Sequence, residues 1–228
     1  MPLVVAVLLL AATNVLDHRI DAVLSLPVNL AVAGLLLLLA RWDGLRATDL
    51  GLGRATLGRG LRWGGSAAAL VLAVYLAALL VPAGREAFLD RRADLSVGGA
   101  LYQALIQVPF ATVLLEELAF RGVLLAMATQ RWGTTRAVVL SSVLFGVWHV
   151  LPSASAAQAN PLVERLLGTG SSALWVWAAL SVVGTAVAGG VFCWLRLRSG
   201  SLLASAGLHW ATNGFGYLGA LLARGLLG

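Results

Sequence analysis

Long apolar runs separated by short polar connectors dominate the chain. Seven of them approach the length of a membrane span: Leu3–Leu16, Ala22–Ala40, Trp63–Val81, Gly98–Gln130, Thr134–Val150, Ala173–Leu195 and Ser201–Leu222. A helical span needs about 20 apolar residues, so the first run is short. The fourth is long. As one α-helix it would reach about 50 Å, beyond a ~30 Å hydrocarbon core, and so must tilt, kink at Pro109 or project. The pattern predicts an all-α, polytopic transmembrane helix bundle of about seven spans (six to eight). It forms a single transmembrane domain over residues 1–228, with a core at about 98–225 and N-terminal spans plus a basic connector in 1–97.

The connectors divide by character. Asp17, His18, Arg19 and Asp21 read as a polar turn in which His18 is solvated. In Asp43–Arg62, leucines alternate with Arg46, Arg54, Arg59 and Arg62, with glycines between them. Two readings stand: a basic segment lying on lipid headgroups, or a plain arginine-rich loop. Arg85–Asp94 carries mixed charge and reads as solvent-exposed. Leu151–Ser172 reads as a loop with a short helix around Leu162–Leu167. Seven spans would put Arg41, Arg46, Arg54, Arg59, Arg62, Arg131, Arg136, Arg196 and Arg198 on one side. Arg19, Arg85, Arg91, Arg92, Arg165 and Arg224 would lie on the other. The positive-inside rule then places the Arg41–Arg62 connector in the cytoplasm.

Composition sharpens this picture. The chain is 60% hydrophobic and 11% charged, where soluble domains carry about 25% charged residues, so it reads as an integral membrane protein. All 16 basic residues are arginine and the net charge is +6. Because those arginines fall in connectors, they meet anionic headgroups and set topology. No basic face is left for nucleic acid. The one cysteine, Cys193, lies in an apolar run and reads as a small apolar residue. The first run lacks a basic n-region and reads as a retained span rather than a signal peptide. The lysine-free composition, rich in Gly, Ala and Arg, points to a prokaryotic source and its inner (cytoplasmic) membrane.

Three charges break the apolar pattern in the fourth run: Glu116, Glu117 and Arg121. A charge at the bilayer centre costs roughly 2.5–3.5 kcal/mol on insertion scales, so these groups must pair or face a wet cavity. Glu117 and Arg121 are four apart with the acid first, the favourable order for an ion pair on one helix face. Glu116 is offset by roughly 100°. It is expected to point elsewhere, unpaired on its own helix and available for chemistry.

Two further runs carry matching groups. The fifth has Phe145 and His149, and the seventh has His209 and Asn213, each pair four apart. A carboxylate and an imidazole can hold and deprotonate a water. An imidazole and an amide can donate to a developing oxyanion. Together they describe a hydrolase acting on a carbonyl. Glu116, His149 and His209 also form a His2Glu set of the kind that holds catalytic zinc with an open position. The residues alone leave metal-bound and metal-free water both open. No His-Glu-x-x-His, Gly-x-Ser-Gly or paired intramembrane Asp occurs, and Ser201 and Ser205 read as small packing residues.

In that order, Glu116-Glu117-x-x-x-Arg121, Phe145-x-x-x-His149 and His209-x-x-x-Asn213 resemble the motif set of the CAAX-protease and bacteriocin-processing (CPBP, or Abi) family of intramembrane endopeptidases. The resemblance covers about Gly98–Gly214, with a looser echo at Asp49–Arg54. It implies Glu116 as the general base that activates water, with His149 sharing that water. It implies His209 and Asn213 as the oxyanion donors, Glu117 and Arg121 as supports, and Phe145 packed beside them. Members treated as glutamate-dependent imply no cofactor, and members first classed as metalloproteases leave zinc as the alternative. The implied substrate is a membrane-anchored or lipidated protein or peptide within the bilayer. Two other classes compete: a non-catalytic immunity or scaffold protein that keeps the cluster for packing, and a transporter whose acids and histidines form a relay.

One expectation does not close. Glu116 lies about 14 residues from its run's end and His149 about 15 from its start, but His209 lies only about 8 from Ser201. The implied depths differ by roughly 10 Å. A seventh span starting near Leu197, or shifted boundaries elsewhere, would remove the mismatch.

Overall fold

In a hydrocarbon core nothing outside the chain satisfies backbone N–H and C=O groups, so apolar runs close into helices. The computed structural model describes residues 1–168 and 170–226, with side chains at all of these except 22, 23 and 154–158. Its helices are α1 (Pro2–Asp17), α2 (Ala22–Trp42), α3 (Leu57–Leu79), α4 (Pro82–Glu86), α5 (97–132), α6 (Thr134–Trp148), α7 (Val150–Ala159), α8 (Pro161–Leu167), α9 (Ser171–Ser199) and α10 (Leu202–Gly225). No strand occurs among the described residues. Four stretches are long and apolar enough to cross a membrane: Leu24–Trp42, Arg54–Leu79, Thr134–Ser153 and Ser171–Ser199. α1 is apolar but has 16 residues. α5 and α10 are not among the four, and they carry the acids, His209 and Asn213.

α5 is continuous but not uniform. Wide π-type turns run over Gln103–Val113 and Glu117–Leu124, on either side of an α-turn at Leu114–Glu116. Pro109 has no N–H to give to the α ladder, and π-type turns recur at functional sites. The other departures from the expected boundaries are local. α3 starts at Leu57, so the last third of the basic connector is helical. Most of the expected loop at Leu151–Ser172 is α7 and α8. Arg85–Asp94 folds back on the bundle, with the Phe88 ring edge-on to Tyr75 at 5.2 Å.

Contacts between connectors define two ends of the bundle. At one end Arg131 pairs with Asp43 at 2.6 Å. There Arg196 Nη2 donates to the Asp49 carbonyl at 2.8 Å and Leu202 N to the Gly51 carbonyl at 2.9 Å. Gly51, at φ +77°, has no room for a side chain because a Cβ would collide with the Arg196 guanidinium. At the opposite end Arg165 pairs with Glu86 at 2.7 Å, Arg224 with Asp94 at 3.5 Å, and Asn160 donates to the Ala87 carbonyl at 3.4 Å.

The first end resolves the depth mismatch. α10 does begin at Leu202, with Ser201 as its cap. However, the turn before it is recessed: Ser199, Ser201 and Leu202 are buried, roofed by the Gly51 segment and by Thr56. α10 therefore starts inside the bundle, and a short run brings His209 to the level of the acids.

α10 packs along α3 with no side chain between the backbones at one point. A Cβ on Gly207 would lie 2.8 Å from Gly64 Cα, and one on Gly64 would lie 2.6 Å from the Leu203 carbonyl oxygen. Small residues allow this close approach. Overpacking a site of this kind costs roughly 1–3 kcal/mol, so Gly207→Val is expected to lower the thermal midpoint of the detergent-solubilised protein. Gly65→Val, where a Cβ meets nothing within 4 Å, is expected to leave it unchanged.

Candidate active site

The charges of α5 sit at the centre of the bundle. Glu117 is 1% exposed and Arg121 0%, with Arg121 Nη1 3.1 Å from Glu117 Oε1. Such a pair needs further partners to offset its desolvation. The guanidinium finds them in aromatic faces: its carbon lies 3.8 Å from the Phe145 ring centroid, 4.7 Å from Phe192 and 5.8 Å from Phe120. Cation–π attraction is stronger where water is excluded. The rings come from α5, α6 and α9, so one arginine ties three helices together.

His209 extends the cluster from α10. Its Nδ1 lies 2.9 Å from Glu117 Oε1. An ionised carboxylate only accepts, so Nδ1 carries the proton and donates. The opposite ring nitrogen, Nε2, lies 3.7 Å from Glu116 Oε2. Phe192 stacks on the imidazole, with centroids 5.1 Å apart at 22°, and Phe145 meets its edge at 5.8 Å. The two acids therefore do not diverge as helix spacing implied: both carboxylates reach the one imidazole.

Glu116 is held from a second side. Trp148 Nε1 donates to Glu116 Oε1 at 3.0 Å. Glu116 Oε2 is buried and has no hydrogen-bond partner within the protein. It belongs to a residue that lines a cavity of about 840 Å3, together with His149, Asn213, Trp148, Tyr75 and Asn29. His149 lies at the turn between α6 and α7 and donates from Nδ1 to the Phe145 carbonyl at 2.8 Å, since a carbonyl only accepts. In the neutral ring this leaves Nε2 with a lone pair. Asn213 is exposed to the same cavity one turn beyond His209.

The expected residues thus form two layers. Glu116, Glu117, Arg121, His209 and Phe145 touch one another in the core. His149 and Asn213 join Glu116 on the cavity wall, and His209 is not among the wall residues. Among the described residues, no three His, Cys, Asp or Glu side chains are arranged to hold a metal ion. In the Glu116, His149 and His209 triplet, His209 Nδ1 is engaged by Glu117 and Nε2 is the nitrogen that faces Glu116. Sequence reasoning missed Trp148 and Phe192. Trp148 is adjacent to His149 in an apolar run, and Phe192 lies within the apolar run Ala173–Leu195. Neither carried a signal apart from its tertiary contacts.

α1 and α2 also reach the site. Asn14 Nδ2 donates to the Trp148 carbonyl at 3.1 Å, and Asn29 Nδ2 to the Ala111 carbonyl at 3.1 Å. Removing one partner of a buried ion pair costs roughly 3–5 kcal/mol. Glu117→Gln is therefore expected to unfold or aggregate the detergent-solubilised protein on size-exclusion chromatography. The double change Glu117→Gln with Arg121→Met, which leaves no orphaned arginine, is expected to recover much of the folded fraction.

Comparison with known proteins supplies the family. A family model described as "Type II CAAX prenyl endopeptidase Rce1-like" matches residues 97–215, just over half of the chain. The match spans α5, α6 and α9 and enters α10 as far as Asn213 and Phe215. No curated protein and no solved structure matches. The chain is an integral membrane protein of the Rce1-like family of type II CAAX prenyl endopeptidases.

Proposed function

We propose that the protein hydrolyses a peptide bond in a membrane-anchored or lipidated protein or peptide, with Glu116 as general base. The observation that carries this reading is the Glu116 carboxylate, pinned through one oxygen by Trp148 and unpartnered at the other, in the wall of a cavity that also holds His149 and Asn213. A base that is positioned but not consumed by protein contacts can take a proton from a cavity water.

In the proposed sequence, the Glu116 carboxylate accepts a proton from water as the water oxygen attacks the scissile carbonyl carbon. His149 Nε2 accepts the water's second hydrogen bond and fixes its direction. The carbonyl oxygen gains the electron pair, and the Asn213 side-chain amide donates to it. When the tetrahedral intermediate collapses, the C–N bond breaks. Glu116 then gives its proton to the departing amine, which leaves a carboxyl terminus on one fragment.

His209 takes a different part from the one its resemblance implied. Its ring stands between the two carboxylates, bonded to Glu117 and 3.7 Å from Glu116. We assign it to filling the space between the two carboxylates, which sets where the Glu116 side chain can lie, and leave oxyanion stabilisation to Asn213. Glu117, Arg121, Phe145 and Phe192 hold His209 in turn. The proposed activation of water is metal-free.

General-base removal typically costs 10²–10⁴-fold. Glu116→Gln and His149→Ala, each in reconstituted enzyme, are expected to lose at least that much cleavage on a membrane-anchored peptide panel, and retained cleavage in either would sink the mechanism. Trp148→Phe removes one hydrogen bond to a charged group, worth roughly 1.5–3 kcal/mol. It is expected to lower kcat by about tenfold or more while KM stays near the wild-type value. Dialysis against a strong chelator is expected to leave cleavage unchanged.

A further inference from the structure

Hydrogen-bonding capacity is spent unevenly around the cavity. α1 and α2 bring three polar side chains to its wall: Asn14, Asp17 and Asn29. None lies in the segment that carries the family match. Asn14 is used as a brace, because its donation to the Trp148 carbonyl ties the last turn of α1 to the turn that holds His149. Asp17 follows three residues later and is partly buried.

Asn29 is 6% exposed. Its Nδ2 donates to the Ala111 carbonyl at 3.1 Å. A carbonyl only accepts, so this bond fixes which way the amide points. Oδ1 is left over, buried and without a hydrogen-bond partner in the protein. The Asp17 carboxylate adjoins this side chain, and its Oδ1 is likewise buried and unpartnered. An ionised carboxylate has no proton to give. Two helices therefore present neighbouring acceptor oxygens on the cavity wall, with no donor for them among the described residues. Leaving buried acceptors unpaired is costly. The pair calls for an occupant that donates more than one hydrogen bond.

Charge narrows the choice of occupant. Asp17, Asp90 and Glu116 are the carboxylates that line the cavity, and Arg92 is the arginine. Arg92 is spent on Asp90, 2.6 Å away. The lining imidazoles are engaged through Nδ1, His18 with the Asn14 carbonyl at 2.7 Å and His149 with the Phe145 carbonyl. Asp17 and Glu116 are thus left on one cavity without a guanidinium. A cleft lined by charges of one sign concentrates their potential and draws the opposite sign into it. Sign and hydrogen-bond count together favour a cation that carries several N–H groups.

We infer that Asp17 and Asn29 form a substrate subsite for the ammonium or guanidinium of a basic side chain close to the scissile bond. The inference deepens the proteolytic reading and rests on it for the substrate. Asp17 is a specificity-determining residue here, and Glu116 is left to the water.

Peptides anchored in vesicles with the reconstituted enzyme, identical except for Lys, Gln or Glu at each position flanking the cleavage site, test the subsite. At one position the wild type is expected to show a kcat/KM about tenfold or more higher for Lys than for Gln, as hydrogen bonds to charged groups imply, and lower still for Glu. Asp17→Asn is expected to bring the Lys-to-Gln ratio close to one, and Asp17→Glu to restore it in part. Each ratio is taken within one preparation, so a smaller folded fraction does not alter it. Equal cleavage of Lys and Gln peptides at every position, as when water alone fills the subsite, overturns the inference. A preference that survives Asp17→Asn does so too. Binding of the same fluorescent peptides to the Glu116→Gln protein separates the subsite from the chemistry, with the Kd for Lys expected to be lower by a similar factor and Asp17→Asn expected to abolish the difference. An absent binding difference overturns the subsite. A wild type that cleaves none of the peptides yet keeps the Asp17-dependent binding difference refutes the protease reading and leaves the subsite standing.

Discussion

A fully buried arginine is the constraint on which the site depends. Arg121 cannot shed its proton, so its charge must be met inside the bundle. Glu117 meets it electrostatically, and the faces of Phe145, Phe192 and Phe120 enclose it. That arrangement fixes the position of Glu117, which fixes the tautomer and tilt of His209, whose far nitrogen lies beside Glu116. The Glu116 carboxylate therefore lies against a ring whose position traces back to a charge that is not on the cavity wall. A buried pair of this kind adds little to stability for its own sake. Its consequence here is registry, because α5, α6, α9 and α10 satisfy it in only one relative arrangement.

Backbone packing sets the depth at which this happens. The α9–α10 turn is drawn into the bundle beneath Gly51 and Thr56, and Gly64 and Gly207 let α3 and α10 touch backbone to backbone. Without the recessed turn His209 would sit too close to the membrane surface to reach the acids. The wide turns in α5 belong to the same adjustment: they lie on both sides of Glu116, and the second begins at Glu117. α1 and α2 lie outside the segment that carries the family signature. They still brace it through Asn14 and Asn29, each of which donates to a backbone carbonyl of a site helix.

The polar groups are sorted by task. Those whose charge must be neutralised lie in the sealed core, where low dielectric strengthens their attraction. Those assigned to water and substrate in the proposed reaction lie on the cavity wall. Glu116 belongs to both layers, with one oxygen bonded to Trp148 and the other unpartnered. A carboxylate fixed through one oxygen stays directed, as the proposed general base requires.

The sequence alone determined the solvent and the helical class, and it singled out most of the side chains that gather around Glu116. Hydrophobic runs admit only helices in a bilayer, and charges inside such runs have no cheap structural explanation. Glu117 and Arg121 were legible as a pair because their spacing is local. What sequence could not decide was anything that depends on neighbours distant in the chain. Glu116 was expected to turn away from Glu117, yet both reach His209, because an imidazole on another helix lies between them. Trp148 and Phe192 lie in apolar runs, and packing makes one a hydrogen-bond donor and the other a stacking plane. The recessed start of α10, which a count of residues per span reads as a mismatch, follows from a connector folded over the turn. Local periodicity encodes which face a residue takes on its own helix. Which partner meets that face, and at what depth, is decided only when the helices pack.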